Sequence, residues 1–184
     1  MKRITKALLG GVAGCGLILG GTQAAIGQPP NIVWGESGDL TDLLPSDEGP
    51  LDGASYAVRI NESDEGTSFR LRITDIDPLA EGEHFGAHLH VGQCAVAADG
   101  TNSTSIHYKA DGNPASTDNE VWFDLEPDEE GVANDETWVS FRPNDTDIDP
   151  TPDVMSIVIH VHEADVLLDN PKQACLPVTV SDWD

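Results

Sequence analysis

Five of the chain's six histidines fall into a pattern that could hold a metal ion. His88 and His90 lie two residues apart in Gly86-Ala87-His88-Leu89-His90-Val91-Gly92-Gln93-Cys94, an apolar, β-leaning stretch. On a strand, residues i and i+2 point to the same face. The two imidazoles would therefore stand side by side, about 7 Å apart at the backbone. That suits two ligands converging on one ion. His160 and His162 repeat the pair just after the apolar run Met155-Ser156-Ile157-Val158-Ile159, and His107 stands alone between the two pairs. All-imidazole coordination suits Cu, Zn, Fe or Ni. His84, the sixth, reads as a rim histidine with no ligand part.

Strands must position these residues. Ser55-Tyr56-Ala57-Val58-Arg59-Ile60 is followed by turn residues over 61–66, and then Phe69, Leu71 and Ile73 alternate with polar neighbours. This is a hairpin exposed on one side. A turn over 77–82 leads into the histidine strand. Residues 95–119 show no helical period, and a long irregular loop of that kind, here holding His107, is usually functional. Further strands are predicted at Glu120-Val121-Trp122-Phe123-Asp124-Leu125 and, after an acidic turn over 127–131, at Thr137-Trp138-Val139-Ser140-Phe141-Arg142. Residues 156–163 form the most apolar and hence most central strand, and 174–180 close the domain. Seven or so short strands with no convincing helix indicate an antiparallel β-sandwich or barrel. Trp122 and Trp138 are assigned to its core.

The chain has 184 residues, with 33 acidic and 9 basic ones. Residues 1–27 read as a signal peptide: a cationic start with Lys2, Arg3 and Lys6, an apolar Gly-rich run, then small residues where cleavage is expected near 24–27. A competing reading takes Val12-Ala13-Gly14-Cys15 as a lipobox, with a lipid anchor at Cys15. Either way the protein would work outside the cytoplasm, secreted or at the cell envelope. Without the leader, six basic residues face 33 acidic ones, a balance of −27. Such a surface repels nucleic acid and anionic membranes. Residues 28–53 are rich in Pro, Gly, Asp and Ser and read as a flexible lead-in, from which Ile32-Val33-Trp34 and residues 40–44 could dock; the domain proper is 54–184. Cys94 and Cys175 remain once the leader is set aside. In an exported domain two cysteines are most simply one disulfide, with thiolate–metal ligation by Cys94 as the lesser alternative.

Taken in order, these features resemble the copper/zinc superoxide dismutases. Leu79-Ala80-Glu81-Gly82 leads into Gly86-Ala87-His88-Leu89-His90; Cys94 follows, then Ile106-His107-Tyr108, Val161-His162-Glu163 and Ala174-Cys175. The resemblance spans roughly residues 55–180 and rests on the order of the pieces, each being weak alone. It implies an all-β, Greek-key antiparallel β-sandwich of immunoglobulin-like kind. It implies copper held by His88, His90, His107 and His162, with His107 the histidine that bridges copper and zinc in the family. It also implies a Cys94–Cys175 disulfide, and Lys172 where the family places an arginine that guides superoxide.

The departures imply a copper-only member. The family's further zinc-binding histidines and aspartate have no counterpart, since residues 108–153 contain no histidine. Asp111, Asp118 and Glu120 are a poor substitute for them. The activity implied is dismutation of the superoxide anion to oxygen and hydrogen peroxide, with His107 supplying a proton. Lys109 and Lys172 flank the expected copper, a local positive field against global repulsion. His160 stands where the family is usually aliphatic and is given a spectator part; Asp165 is a candidate to orient a ligand imidazole. The alternative is a non-enzymatic, extracytoplasmic copper-binding or buffering module on the same scaffold.

Overall fold

The computed structural model describes residues 31–43, 49–95, 106–110, 118–143, 154–161 and 172–179. Two antiparallel sheets make up an all-β sandwich. The strands are β1 (Asn31–Asp39), β2 (Thr41–Asp42), β3 (Ser55–Ser63), β4 (Gly66–Thr74), β5 (Phe85–Val91), β6 (Ile106–His107), β7 (Trp122–Leu125), β8 (Ala133–Val139), β9 (Val154–Val161) and β10 (Lys172–Thr179). The first sheet runs β1-β3-β4-β8; the second runs β2-β10-β9-β5-β6, with β7 also paired to β5. The helical content of the described residues is one short 3-10 turn, Pro78–Ala80, capped by the Asp77 carboxylate accepting from the Leu79 N–H. No helix among the described residues is long and apolar enough to cross a membrane.

Alternation builds the interior. In β3 and β4 the inward set is Tyr56, Val58, Ile60, Phe69, Leu71 and Ile73, all buried, while Arg59, Arg70 and Arg72 face water. The second sheet answers with Phe85, Ala87 and Leu89 from β5 and Met155, Ile157 and Ile159 from β9. Removing these apolar surfaces from water is the main force holding the sheets together. Gly66 turns the β3–β4 hairpin at φ 147°, where a Cβ would strike the Val139 carbonyl. Glycine alone fits there.

Three expectations are corrected. Part of the stretch read as a flexible lead-in is strand: β1 pairs with β3 along most of its length, β2 pairs with β10, and Trp34 lies in the core. The strand expected at 137–142 starts earlier, at Ala133, and ends at Val139. Its Asn134, Asp135 and Glu136 break the apolar alternation, but β8 is an edge strand on which Asn134, Glu136 and Trp138 face out and the Asp135 carboxylate accepts from the Asp124 N–H. Trp138 is 57% exposed on that face and is not core.

Candidate metal centre

The outer face of the second sheet gathers the histidines. In β5, Phe85, Ala87 and Leu89 point into the core, so His88 and His90 must point away from it. Cross-strand register then assembles the rest. His107 of β6 pairs with His90, Trp122 of β7 pairs with His88, and His160 of β9 pairs with Gly86. Gly86 has no side chain, so nothing on β5 stands between His160 and His88.

One ring nitrogen from each of His88, His90, His107 and His160 lies within 4.8 Å of all the others. The rings of His88 and His90 are nearly parallel, 4° apart in plane, with centroids at 6.2 Å, and His160 lies 5.2 Å from His88. His107 meets His88 edge-on, its Nε2 at 3.1 Å from His88 Nδ1. His88, His90 and His160 are buried. Burial, followed by the proximity of His107 and His160, pushes His88 down to about 3 and His90 down to about 2. Neutral imidazoles with free lone pairs are the form that binds metal.

The donor set fits an ion. Both ring nitrogens of His90 are buried without a hydrogen-bond partner. An orphaned buried polar group costs about 1–3 kcal/mol, and a cation accepting the lone pair would offset that. Four convergent imidazoles could hold a metal ion.

Around them sits a shell of charge. His107 Nδ1 lies 3.3 Å from Glu120 Oε2, and the Glu120 carboxylate is almost wholly buried, its side chain 1% exposed. A carboxylate at Nδ1 fixes the proton there and leaves the Nε2 lone pair for the metal. Lys109 Nζ approaches the other oxygen of Glu120 at 3.9 Å. The half-buried Lys172 lies across from His160 on β10. Its charge is felt at His90, and burial lowers its own proton affinity.

Neither the protein-family models nor the curated proteins contain a match to this chain.

The structure brings His88, His90 and His107 together as the sequence leads one to expect, and places Lys109 and Lys172 at the edge of the group. His160, given a spectator part from sequence, is inside the group because its register partner is a glycine. His162 and Asp165 lie outside the described residues, as does Asp111. Asp118 is exposed. From sequence Glu120 reads only as a weak zinc ligand; the signal for its part is an acidic residue at an otherwise apolar strand start, Glu120-Val121-Trp122-Phe123. Trp122, expected in the core, is half-buried against His88 with ring centroids at 3.9 Å. His84 is a rim residue, exposed and paired to Asp124 at 3.1 Å.

Cys94 and Cys175 form a disulfide with Cα atoms 5.6 Å apart. It joins the segment after β5 to β10 and packs with Leu43 and Val158 in a small cluster apart from the main core. A disulfide of this kind accords with an oxidising compartment.

Proposed function

We propose that this protein is an exported, copper-dependent superoxide dismutase of the copper/zinc type, working with copper alone. The Greek-key form of the sandwich and its export belong to the same proposal. The observation that carries it is the pairing of a buried four-histidine group with Glu120 at His107 Nδ1, the nitrogen that would face zinc in the bridging histidine of that family. A carboxylate there takes over the task of orienting the ring, and no second metal is called for.

His88, His90, His107 and His160 would hold the ion. Copper bound there supplies a one-electron acceptor and donor that cycles between two oxidation states. Two superoxide anions and two protons give one oxygen and one hydrogen peroxide. Glu120 would keep Nδ1 protonated and the ring in line, and His107 Nε2, when released from the ion, would take up the proton that goes to the peroxide product. Lys172 draws the anion in against the acidic surface, and distant charge is screened beyond about 8–10 Å at physiological salt. Lys109 is the weaker candidate for this task, because its ammonium already faces Glu120.

The test is metal analysis of the mature protein reconstituted with copper and zinc, joined to a superoxide assay with and without chelator. About one copper, no firmly held zinc, and superoxide removal far faster than by free copper are expected. A tightly held zinc would refute the copper-only form. Copper binding with no such rate would leave a copper-buffering module. His160→Val and His162→Ala divide the fourth ligand position. A copper affinity lowered at least tenfold by the first, and less by the second, assigns His160; the reverse restores His162, as the family resemblance implies.

A further inference from the structure

The outer face of the first sheet, on the far side of the sandwich from the histidines, carries a second concentration of one residue type. Arg59 and Arg70 are direct cross-strand partners, and Arg72 lies two residues along from Arg70 on the same face. Three of the chain's nine basic residues thus share one patch of a protein with 33 acidic ones. Strands are about 4.8 Å apart, and like charges directly opposite one another destabilise a sheet. Carboxylates are plentiful, yet among the described residues only Arg70 of the three has one, Glu136. Arg72 donates to the Asn134 amide oxygen at 3.4 Å, and Arg59 forms no ion pair among the described residues.

The ground around them is low. Gly35 pairs with Arg59, Ala57 pairs with Arg72, and Ser37 pairs with Ala57. Small residues therefore leave the Arg59 and Arg72 guanidinium groups open from above. At one corner stands Trp138, opposite Ser68 on the same face and 57% exposed. The face thus combines two planar cations that pair with no carboxylate among the described residues with a broad apolar ring on one sheet face.

We infer that this face binds an acidic polysaccharide, Arg59 and Arg72 taking its carboxylates and Trp138 stacking on a sugar ring. The guanidinium fork matches a carboxylate bidentately. An exposed indole offers a rigid apolar plate to the C–H face of a pyranose. Nucleic acid, with one charge per about 1.7 Å of duplex, would be repelled by the acidic remainder of the molecule more strongly than a polymer of lower charge density. A uronate polymer spaces its charges one to a sugar and supplies the ring face that an acidic peptide lacks.

The experiment is titration of the full mature protein with polygalacturonate at low ionic strength, beside dextran, polyglutamate and duplex DNA at matched concentration. Binding to polygalacturonate alone is expected, weakening as salt rises. Arg59→Ser and Arg72→Ser should each weaken it about tenfold, and Trp138→Ala by a similar factor. Trp138→Leu should behave as Trp138→Ala does, which separates loss of the ring from loss of apolar bulk. Lys109→Gln, removing the same unit of charge from the other sheet, should leave binding within a factor of two. Near-ultraviolet circular dichroism verifies the fold of each variant; these side chains are exposed, and all are expected to fold. No binding by the wild type, equal binding of dextran, polyglutamate or DNA, or an equal loss in Lys109→Gln would each overturn the proposal.

Discussion

The two outer faces of this sandwich use the same geometry for opposite ends. On each, a two-residue strand period and cross-strand register bring together side chains capable of positive charge. On the first sheet they are arginines, exposed to water and permanently charged. On the second they are imidazoles, those of His88, His90 and His160 buried, and burial holds His88 and His90 neutral far below their ordinary range. Like charges gathered in water cost little and remain available to an anion. Like groups gathered out of water surrender their protons and become lone-pair donors for a cation. Residue type and solvent access together decide which way each face is turned: burial can strip an imidazole of its proton but not a guanidinium.

Breaking the disulfide should separate the faces most. It closes a loop of 81 residues, worth about 4–5 kcal/mol in the chain-entropy account. One end lies in β10 and the other just after β5, both strands of the second sheet. Cys94→Ser with Cys175→Ser should lower the global stability by several kcal/mol in denaturant titration. Amide exchange should then rise first in β5, β9 and β10, with β3 and β4 protected longer. Equal loss of protection on both sheets would show that the arginine face depends on the same tie.

Acidification should act on the histidine face alone. In the metal-free protein the folded state binds fewer protons than the unfolded chain, since the native values of His88 and His90 lie far below 6.5. Stability therefore rises with pH between those native values and about 6.5, is fully present above it, and falls as pH drops below it. The slope is at most about 1.4 kcal/mol per histidine per pH unit. Thermal melts of apo-protein from pH 7.5 to 5.5 should show the loss, and His90→Phe should reduce it. Melts flat over that range would contradict the depressed values.

The smallest effect belongs to the arginine face. Glu136 accepts from Arg70 Nε and Nη2 and from Ser68 Oγ, all at an exposed site. Exposed ion pairs contribute little to stability, because water and salt screen them. Glu136→Gln should shift the melting temperature by no more than a degree or two, and less in high salt. A larger shift would mean that the pair offsets the Arg59–Arg70 repulsion more strongly than exposure allows.

What the sequence disclosed follows the same division. Clean alternation made β3, β4 and β5 legible, and the His-x-His spacing announced the shared face before any register was known. Three things were hidden. The lead-in looked like a tether because Gly35, Ser37 and Asp39 fill the outer positions of an edge strand, while its inward Trp34 is one residue among nine. The first half of β8 shows no apolar alternation because its outward side chains are answered by arginines on β4, a pairing across more than sixty residues. Glu120 and His160 became part of the site only through partners on other strands, His107 and Gly86, which no local pattern announces.

The ladder between β9 and β10 slips by one residue between Lys172 and Ala174. Such bulges re-aim side chains. Counted along an even strand, Lys172 and Cys175 are an odd number of steps apart and would point to opposite sides, with the lysine driven among Met155, Ile157 and Ile159. The slip returns it to the side of Cys175 and His160, and it leaves the Gln173 carbonyl to accept the Leu43 N–H at 2.9 Å. Grafted onto another scaffold without its surplus residue, the same string of amino acids would bury an ammonium in oil. The portable unit is the strand together with its irregularity.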